Sequence, residues 1–192
     1  MAIAILGLGH SKKFAPWDDP SWEKWCLSWD KNRDKASRLF QMHDLDYIGE
    51  RSPEEVEVLA NPDNFHCPLY MREQYFSHVT QYPLEDVTQT LGFDYFESSI
   101  AFMFALALHE NRVHGVNAEI GLWGVHMSAQ SEYAYQRPNM EWLLGLAQGW
   151  GFRVTLPDSA RLLTFNGGKP KPTRNGRKAL RYGQWEYLNG DD

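Results

Sequence analysis

The chain has 192 residues, of which 43% are hydrophobic and 14% aromatic, and it carries a formal net charge of −6. This length and composition predict one globular domain with a sizeable core and exclude a disordered chain. The acidic balance argues against a generally basic nucleic-acid binder. No apolar run approaches the roughly twenty residues of a membrane helix, and no signal-peptide pattern opens the chain, so we expect a cytoplasmic protein without a membrane span.

The charge is distributed unevenly. Residues 166–192 contain six basic and three acidic residues, which leaves residues 1–165 with 13 basic and 22 acidic residues and a charge of −9. We predict a domain over 1–165 and an extended, partly flexible basic tail over 166–192. The tail is either a solvated extension or an arm that binds phosphate, of a nucleic acid or over the protein's own acidic site. Its basic residues are Lys169, Lys171, Arg174, Arg177, Lys178 and Arg181.

The first predicted element is a strand in the segment AIAILGLGHS. Its continuous apolar run is typical of a central strand in a parallel sheet that is covered on both faces. Gly7, Gly9 and the small polar Ser11 follow, and such a loop lets the backbone approach a phosphate or a base. A tight strand exit needs glycine for steric reasons too. The third glycine of the dinucleotide fingerprint is missing, so we do not predict NAD binding.

The next three predicted strands each end at polar residues. WCLSWD ends at Asp30, RLFQMHD ends at His43 and Asp44, and CPLYMRE ends at Arg72 and Glu73. Between the last two strands, residues 46–64 are acidic and polar, with one short helix expected over Pro53 to Ala60. A further helix in PLEDVTQTLG begins at Pro83 and ends at Gly92.

A buried helix, an apolar strand and a polar loop occupy residues 97–137. The helix repeats apolar residues on one face, and Ser98 or Ser99 is placed to cap it, which would also allow an anion to bind there. The strand EIGLWGVHM leads to His126 and to a loop that ends in Arg137, before a helix that begins at Pro138. A short strand, FRVTLP, follows. The loop is either a structured connection with an internal ion pair of Glu132 and Arg137, or a ligand-binding segment. Its candidate ligand-binding residues are Glu132, Tyr133, Tyr135, Gln136 and Arg137.

Strands that alternate with helices or loops predict a mostly parallel sheet with right-handed crossovers. Ligands of such sheets lie beyond the carboxyl ends of the strands, near the point where the strand order reverses. The polar clusters all follow predicted strands, so we expect them to converge on one edge. They are Gly7, Gly9 and Ser11, then Asp30, then His43 and Asp44, then Arg72 and Glu73, and finally His126 with the loop to Arg137.

Three histidines, His10, His43 and His126, are candidates for general acid–base chemistry at this edge. Each is more often structural or solvated than catalytic. His43, Asp44 and His126 lack the spacing typical of a metal site, so we predict no metal. Cys26 and Cys67 also lack zinc-ligand spacing and are expected to be buried free thiols.

The segments SSIAFMFALALHE and EIGLWGVHM resemble the signature of a Rossmann-like group of proteins. This group includes the bacterial family 42 sialyltransferases, the flagellar motility accessory proteins and the archaeal 6-hydroxymethylpterin diphosphokinase-like proteins. Its members have a Ser/Thr-Ser-Gly helix start, a helix rich in Met and Ala, and a strand that reads I-x-L-x-G-x-D. AILGLGHS is similar to the G-x-G-P-S nucleotide loop of the same group. The segment from WGVHM to GWGFRV also resembles small proteins common in tailed-phage genomes, which implies a phage origin.

The resemblance implies a single Rossmann-like, three-layer domain in which Gly7, Gly9, Ser11, Ser98 and Ser99 surround a nucleotide. The chain departs from the group's pattern at three positions. Ile100 stands in place of the expected Gly, His10 in place of Pro, and His126 where the group has Asp.

These observations predict a nucleotide-binding protein that acts as a glycosyltransferase-like transferase on a nucleotide or nucleotide-sugar, with no further cofactor. Arg137 and the helix start at Ser98 and Ser99 would stabilise a departing phosphate, while His126 or His43 takes a proton from the acceptor. His10, Asp30, Glu132, Tyr135 and Gln136 complete the predicted nucleotide site. Two alternatives stay open: a non-catalytic module that captures a nucleotide made in host defence, and an accessory protein whose basic tail binds nucleic acid.

Overall fold

The computed structural model describes residues 1–127, 133–157 and 162, and it describes side chains for residues 1–127, 136–157 and 162. In this part of the chain, seven strands form one sheet in the order β5-β4-β3-β2-β1-β6-β7. All neighbouring strands are parallel. The strands are β1 Ala2–Leu6, β2 Trp22–Leu27, β3 Arg38–Gln41, β4 Leu69–Met71, β5 Val79–Gln81, β6 Ile120–Trp123 and β7 Val154–Thr155.

Helices cover both faces of the sheet, so the predicted three-layer α/β architecture is confirmed. The helices are α1 Leu45–Arg51, α2 Pro53–Ala60, α3 Leu84–Leu91, α4 Ser99–Val113 and α5 Tyr133–Gly149. One core cluster joins Ile3 and Ile5 to α3, α4 and α5, and the other joins Ala4 and Leu6 to α1 and α2. Since successive side chains of a strand point to opposite faces, the uninterrupted apolar run of β1 is explained by burial on both sides.

The sheet contains a strand that the sequence analysis missed. β5 lies parallel to β4, although only residues 72–78 connect them and no helix intervenes. Parallel neighbours normally need a crossover of a dozen or more residues, usually with a helix. Here two tight turns reverse the chain: the Tyr75 N–H donates to the Glu73 carbonyl (2.9 Å) and the Val79 N–H donates to the Phe76 carbonyl (3.1 Å).

Two helices also differ from the predictions. α1 was not predicted because Ile48 is its one buried residue, so it has no apolar periodicity. α5 begins at Tyr133. The predicted start at Pro138 is therefore wrong by more than one helical turn, and Pro138 lies inside the helix. Arg137 and Glu141 form an i,i+4 ion pair across that proline, with a 2.8 Å Nε–Oε1 distance, and a pair at this spacing stabilises a helix. The expected loop is therefore helical from Tyr133 onward.

Other predicted elements are confirmed. α3 begins after Pro83 and ends at Gly92, whose φ of 79° is in the left-handed region. α4 has Ser98 as its N-cap, since the Ser98 Oγ accepts a hydrogen bond from the Ala101 N–H (3.1 Å). Among the described helices, none combines the length and the apolar character required to cross a bilayer.

Candidate functional site

The strand order reverses between β1 and β6. From β1 the chain adds β2, β3, β4 and β5 on one side, and then returns to place β6 and β7 on the other side. In an open parallel sheet, the position where the strand order reverses is the usual place for a ligand crevice. We call it the switch crevice and define it by Gly7, Gly9, His10, Ser11 and His126.

Glycines allow the exits of β1 and β6 to touch. The Gly7 N–H donates to the Trp123 carbonyl and the Gly9 N–H donates to the Gly124 carbonyl, each over 2.8 Å. A Cβ atom on Gly7 would lie 2.5 Å from the Gly124 carbonyl oxygen, and one on Gly124 would lie 2.4 Å from the Gly7 oxygen. Gly124 also has a φ of 71°. Contacts within the protein are therefore enough to explain why glycine is required at positions 7 and 124. Phosphate contact by Gly7 and Gly9 stays a prediction.

The side chain of His126 lies against Gly9. A Cβ atom on Gly9 would come within 2.3 Å of the His126 Cδ2 atom, so glycine is required at position 9 to seat the imidazole. The ring stacks on that of His10 with a centroid distance of 4.2 Å and an interplanar angle of 10°. The Ser11 N–H donates to His126 Nε2 (3.4 Å), and the Ser11 Oγ accepts from the Gly124 N–H (2.8 Å). The five residues of the switch crevice thus form one contiguous group.

Asp30 belongs to a buried ion pair next to the crevice. Lys12 Nζ lies 2.7 and 2.6 Å from the two Asp30 carboxylate oxygens, and the two side chains are 10% and 0% exposed. The Asn32 N–H donates to Asp30 Oδ1 (2.8 Å). Both Asp30 oxygens have partners inside the protein, and the direct contact of Asp30 with a nucleotide stays a prediction. Its observed contact is with the short 3-10 helix His10–Phe14, which it holds against the exit of β2.

The start of α4 lies at the same edge of the sheet, because α4 leads back to the amino end of β6. Ser98 and Ser99 are both half-buried. The buried Asn139 side chain connects this start to α5: its Oδ1 accepts from the Glu97 N–H (3.2 Å), and its Nδ2 donates to the Tyr95 carbonyl (2.6 Å). Two helices of the same layer are therefore held together at the edge where the crevice lies.

A second group of side chains lies two strands away, at the end of β3. Gln41 is 1% exposed; its Nε2 donates to Glu55 Oε1 (2.7 Å), and its Oε1 accepts from the His43 N–H (3.1 Å). His43 Nδ1 lies 2.8 Å from the same Oε1 atom. The exposed His43 ring packs against Trp29 (centroids 5.8 Å apart) and Tyr47 (5.2 Å, 17°). We call the chain of contacts Glu55–Gln41–His43 the His43 relay.

Two shallow cavities border this group. One, of about 500 Å³, lies beside α1 and is lined by Asp44, Leu45, Asp46, Tyr47, Glu50 and Tyr75. The other, of about 280 Å³, lies under α2 and is lined by Ser28, Trp29, Arg33, Glu54, Glu55, Val58 and Leu59. Asp44 interacts with Arg72 (3.4 Å) and with the Tyr75 hydroxyl (3.4 Å), so the predicted polar ends of β3 and β4 do meet.

Parts of the predicted ligand-binding segment lie in or beyond α5. Tyr135, Gln136 and Arg137 belong to the first turns of the helix, and Arg137 pairs with Glu141. The predicted ion pair of Glu132 and Arg137 lies outside the described residues and stays a prediction. Glu132 and the basic tail, with its residues from Lys169 to Arg181, lie outside the described residues, as does the side chain of Tyr135. Their ligand contacts stay predictions.

Neither cysteine has the environment of a reactive thiol. Burial, and after it the nearby Asp30 carboxylate, raises the pKa of Cys26 to about 12. Burial also raises the pKa of the half-buried Cys67 to about 11. Thiolates are the reactive form of cysteine, so neither thiol is set up as a nucleophile at neutral pH. Within the described ranges, no three His, Cys, Asp or Glu side chains are grouped in a way that could hold a metal ion.

The sequence analysis missed Lys12, Gln41, Glu55 and Tyr47. Gln41 and His43 are two residues apart at a strand end, a spacing that permits a shared contact but does not reveal it. Lys12 and Asp30 follow adjacent strands, and that placement was the available signal for their pairing.

No protein-family model and no curated protein matches the chain. Among solved structures, it is similar to a variant of the sialyltransferase CST-II in complex with CMP, with a TM-score of 0.48 and 12% identity over 81% of each chain.

Proposed function

We propose that this protein binds a nucleotide or nucleotide-sugar at the carboxyl edge of its sheet and acts as a glycosyltransferase-like transferase. The observation that carries the proposal is the grouping of Gly7, Gly9, His10, Ser11 and His126 at the β1–β6 reversal. The reversal point is where open parallel sheets bind ligands. Two stacked imidazoles and a short helix at that point offer hydrogen-bond donors and flat surfaces to a nucleotide.

The neighbouring elements fit the predicted roles. The free N–H groups and the dipole at the start of α4, at Ser98 and Ser99, would favour a phosphate. Arg137, in the early part of α5, would stabilise the negative charge on the departing phosphate. Glu132, Tyr135 and Gln136 would contact the base or the ribose.

His43 is a proposed proton acceptor for such a ligand. His43 follows β3, which is two strands from β1, and neighbouring strands are about 5 Å apart, so the separation along the edge is about 10 Å. A nucleotide-sugar in the switch crevice extends over such a distance. In the transfer, the acceptor oxygen bonds to the sugar carbon, the bond from that carbon to the phosphate oxygen breaks, and the acceptor proton passes to His43 or His126.

A turnover assay with nucleotide-sugars tests this function. We expect the wild type to release nucleotide in the presence of an acceptor, and His43→Ala/His126→Ala to lose turnover by roughly 10²–10⁴-fold, the usual contribution of a general base. The loss of turnover should exceed the loss of nucleotide affinity, to which only the His126→Ala change is expected to contribute. Tight nucleotide binding with no turnover of any nucleotide-sugar would favour the non-catalytic capture module, and salt-dependent nucleic-acid binding that disappears on deletion of 166–192 would favour the accessory protein.

A further inference from the structure

We propose that His43, rather than His126, is the base of this transfer, and that the buried pair Gln41 and Glu55 fixes its imidazole as the Nδ1–H tautomer with the basic nitrogen at Nε2. His43 would be the catalytic residue, because it would touch the acceptor hydroxyl. Gln41 and Glu55 would be positioning residues that act through it. The proposal rests on the transferase function proposed above.

The orientation of the Gln41 amide follows from its two partners. A carboxylate only accepts hydrogen bonds, so the amide group that faces Glu55 Oε1 at 2.7 Å must be the NH₂ group. The amide oxygen then faces His43, where it accepts from the backbone N–H (3.1 Å). The two ends of an amide have similar shapes, so the oxygen and the nitrogen of the Gln41 side chain are assigned from these hydrogen-bond partners.

The tautomer of His43 follows from the amide. The Gln41 oxygen lies 2.8 Å from His43 Nδ1, and a carbonyl oxygen cannot donate, so Nδ1 must carry a hydrogen. In a neutral imidazole the lone pair is then on Nε2. Because Gln41 is 1% exposed and His43 is exposed, the ring edge with Nε2 is turned away from the core.

The faces of the imidazole are also held. Trp29 packs against His43 with an interplanar angle of 39°, and Tyr47 stacks at 17°. The Arg51 guanidinium covers Tyr47, with its Cζ atom 4.3 Å from the ring centroid. Packing that fixes a side-chain rotamer, together with a hydrogen bond from behind, is the arrangement that keeps a catalytic group in a productive geometry.

His126 has a different environment. Its Nε2 accepts from the Ser11 N–H (3.4 Å), its ring stacks on His10, and one side lies against Gly9. These contacts make His126 part of the wall of the switch crevice. In the proposed step the acceptor O–H gives its proton to His43 Nε2 as its oxygen attacks the sugar carbon, and the electrons of the broken carbon–oxygen bond leave with the phosphate. The imidazolium later returns its proton to water.

The first test needs no substrate. NMR chemical shifts of the imidazole nitrogens in the isotopically labelled full-length protein should show His43 as the Nδ1–H tautomer at a pH where it is neutral. Gln41→Leu should give a mixture or the Nε2–H form. Gln81→Leu, which removes an exposed glutamine at the end of β5 that donates to Glu73, is the matched control and should leave His43 unchanged.

Two further variants test the same contacts in case Gln41→Leu does not fold. Glu55→Gln, on a half-buried position of α2, allows the Gln41 amide to turn over and should also mix the tautomers. The exchange Gln41→Glu/Glu55→Gln keeps an acceptor facing Nδ1 and should restore the Nδ1–H form. An Nε2–H tautomer in the wild type, or no response to Gln41→Leu and Glu55→Gln, overturns the relay whatever the function of the protein.

The second test uses a nucleotide-sugar that the wild type turns over. His43→Ala should lower kcat by roughly 10²–10⁴-fold and leave nucleotide affinity nearly unchanged, while His126→Ala should mainly weaken nucleotide binding. Gln41→Leu should lower kcat, and the exchanged pair should recover part of it. Full turnover by His43→Ala overturns the assignment of the base. The predicted tautomer without turnover of any nucleotide-sugar overturns the proposed function, and with it the catalytic role of His43.

Discussion

Replacing Lys12 by Met is expected to lower the free energy of unfolding by about 3–5 kcal/mol, because removing one partner of a buried ion pair leaves an uncompensated charge in the core. Asp30 is 1% exposed, and both of its carboxylate oxygens lie within 2.7 Å of Lys12 Nζ. Urea denaturation of the wild type and the variant at neutral pH measures the difference, as a change in midpoint at constant slope.

Two controls separate the charge from the loss of the side chain. Lys13→Met removes the neighbouring exposed lysine, whose Nζ lies 4.9 Å from the Phe14 ring centroid, and should cost no more than about 1 kcal/mol. Lys12→Met/Asp30→Asn removes both charges, keeps an acceptor for the Asn32 N–H, and should recover most of the loss. A cost below about 1 kcal/mol for Lys12→Met would contradict the view that this pair anchors the 3-10 helix beside the crevice.

Gly124→Ala is expected to destabilise the protein by about 2–5 kcal/mol. A left-handed backbone costs an alanine about 1–2 kcal/mol, and overpacking adds about 1–3 kcal/mol. The new Cβ atom would lie 2.4 Å from the Gly7 oxygen and 3.1 Å from the Gly9 nitrogen. Both are backbone atoms, which cannot move away by a change of rotamer. The exits of β1 and β6 would have to separate, which would open the switch crevice. The midpoint of chemical denaturation measures the loss.

Gly115→Ala is the matched control. Gly115 has a φ of 62°, close to the 71° of Gly124, but a Cβ atom there would have no neighbour within 4 Å. It should cost only the backbone strain, about 1–2 kcal/mol. Equal losses for the two variants would mean that the close approach of the two strand exits contributes nothing.

Much of the fold was predictable because burial leaves a strong pattern in the chain. β1 is apolar without interruption since helices cover both faces of the sheet, and α4 is marked by its buried face and by the Ser98 cap. β5 could not be predicted, because parallel strands joined by so short a link violate the usual spacing. The start of α5 was placed too late because Pro138 is a typical helix-start signal, and nothing local indicated that it lies inside the helix.

The candidate site was predictable as a place but not as a set of contacts. Strand-end polar residues had to meet at one edge once the sheet was parallel, which explains why Gly9, Ser11 and His126 come together. Their individual roles depend on side-chain distances that no spacing encodes. Asp30, which is predicted to contact a nucleotide, is also buried against Lys12, and Gln41, which the sequence analysis did not single out, has its amide oxygen 2.8 Å from His43 Nδ1.

The most direct test of nucleotide binding at the switch crevice is a thermal-unfolding screen of the full chain against nucleotides and nucleotide-sugars. A ligand that binds only the folded state at a hundred times its Kd stabilises it by about 2.7 kcal/mol, which corresponds to a rise in Tm of roughly 5–10 °C for a protein of this size. We expect at least one nucleotide to produce such a rise, the matching free sugar to produce none, and His126→Ala to reduce the rise. If no nucleotide raises the Tm of the wild type, the proposed nucleotide site is wrong.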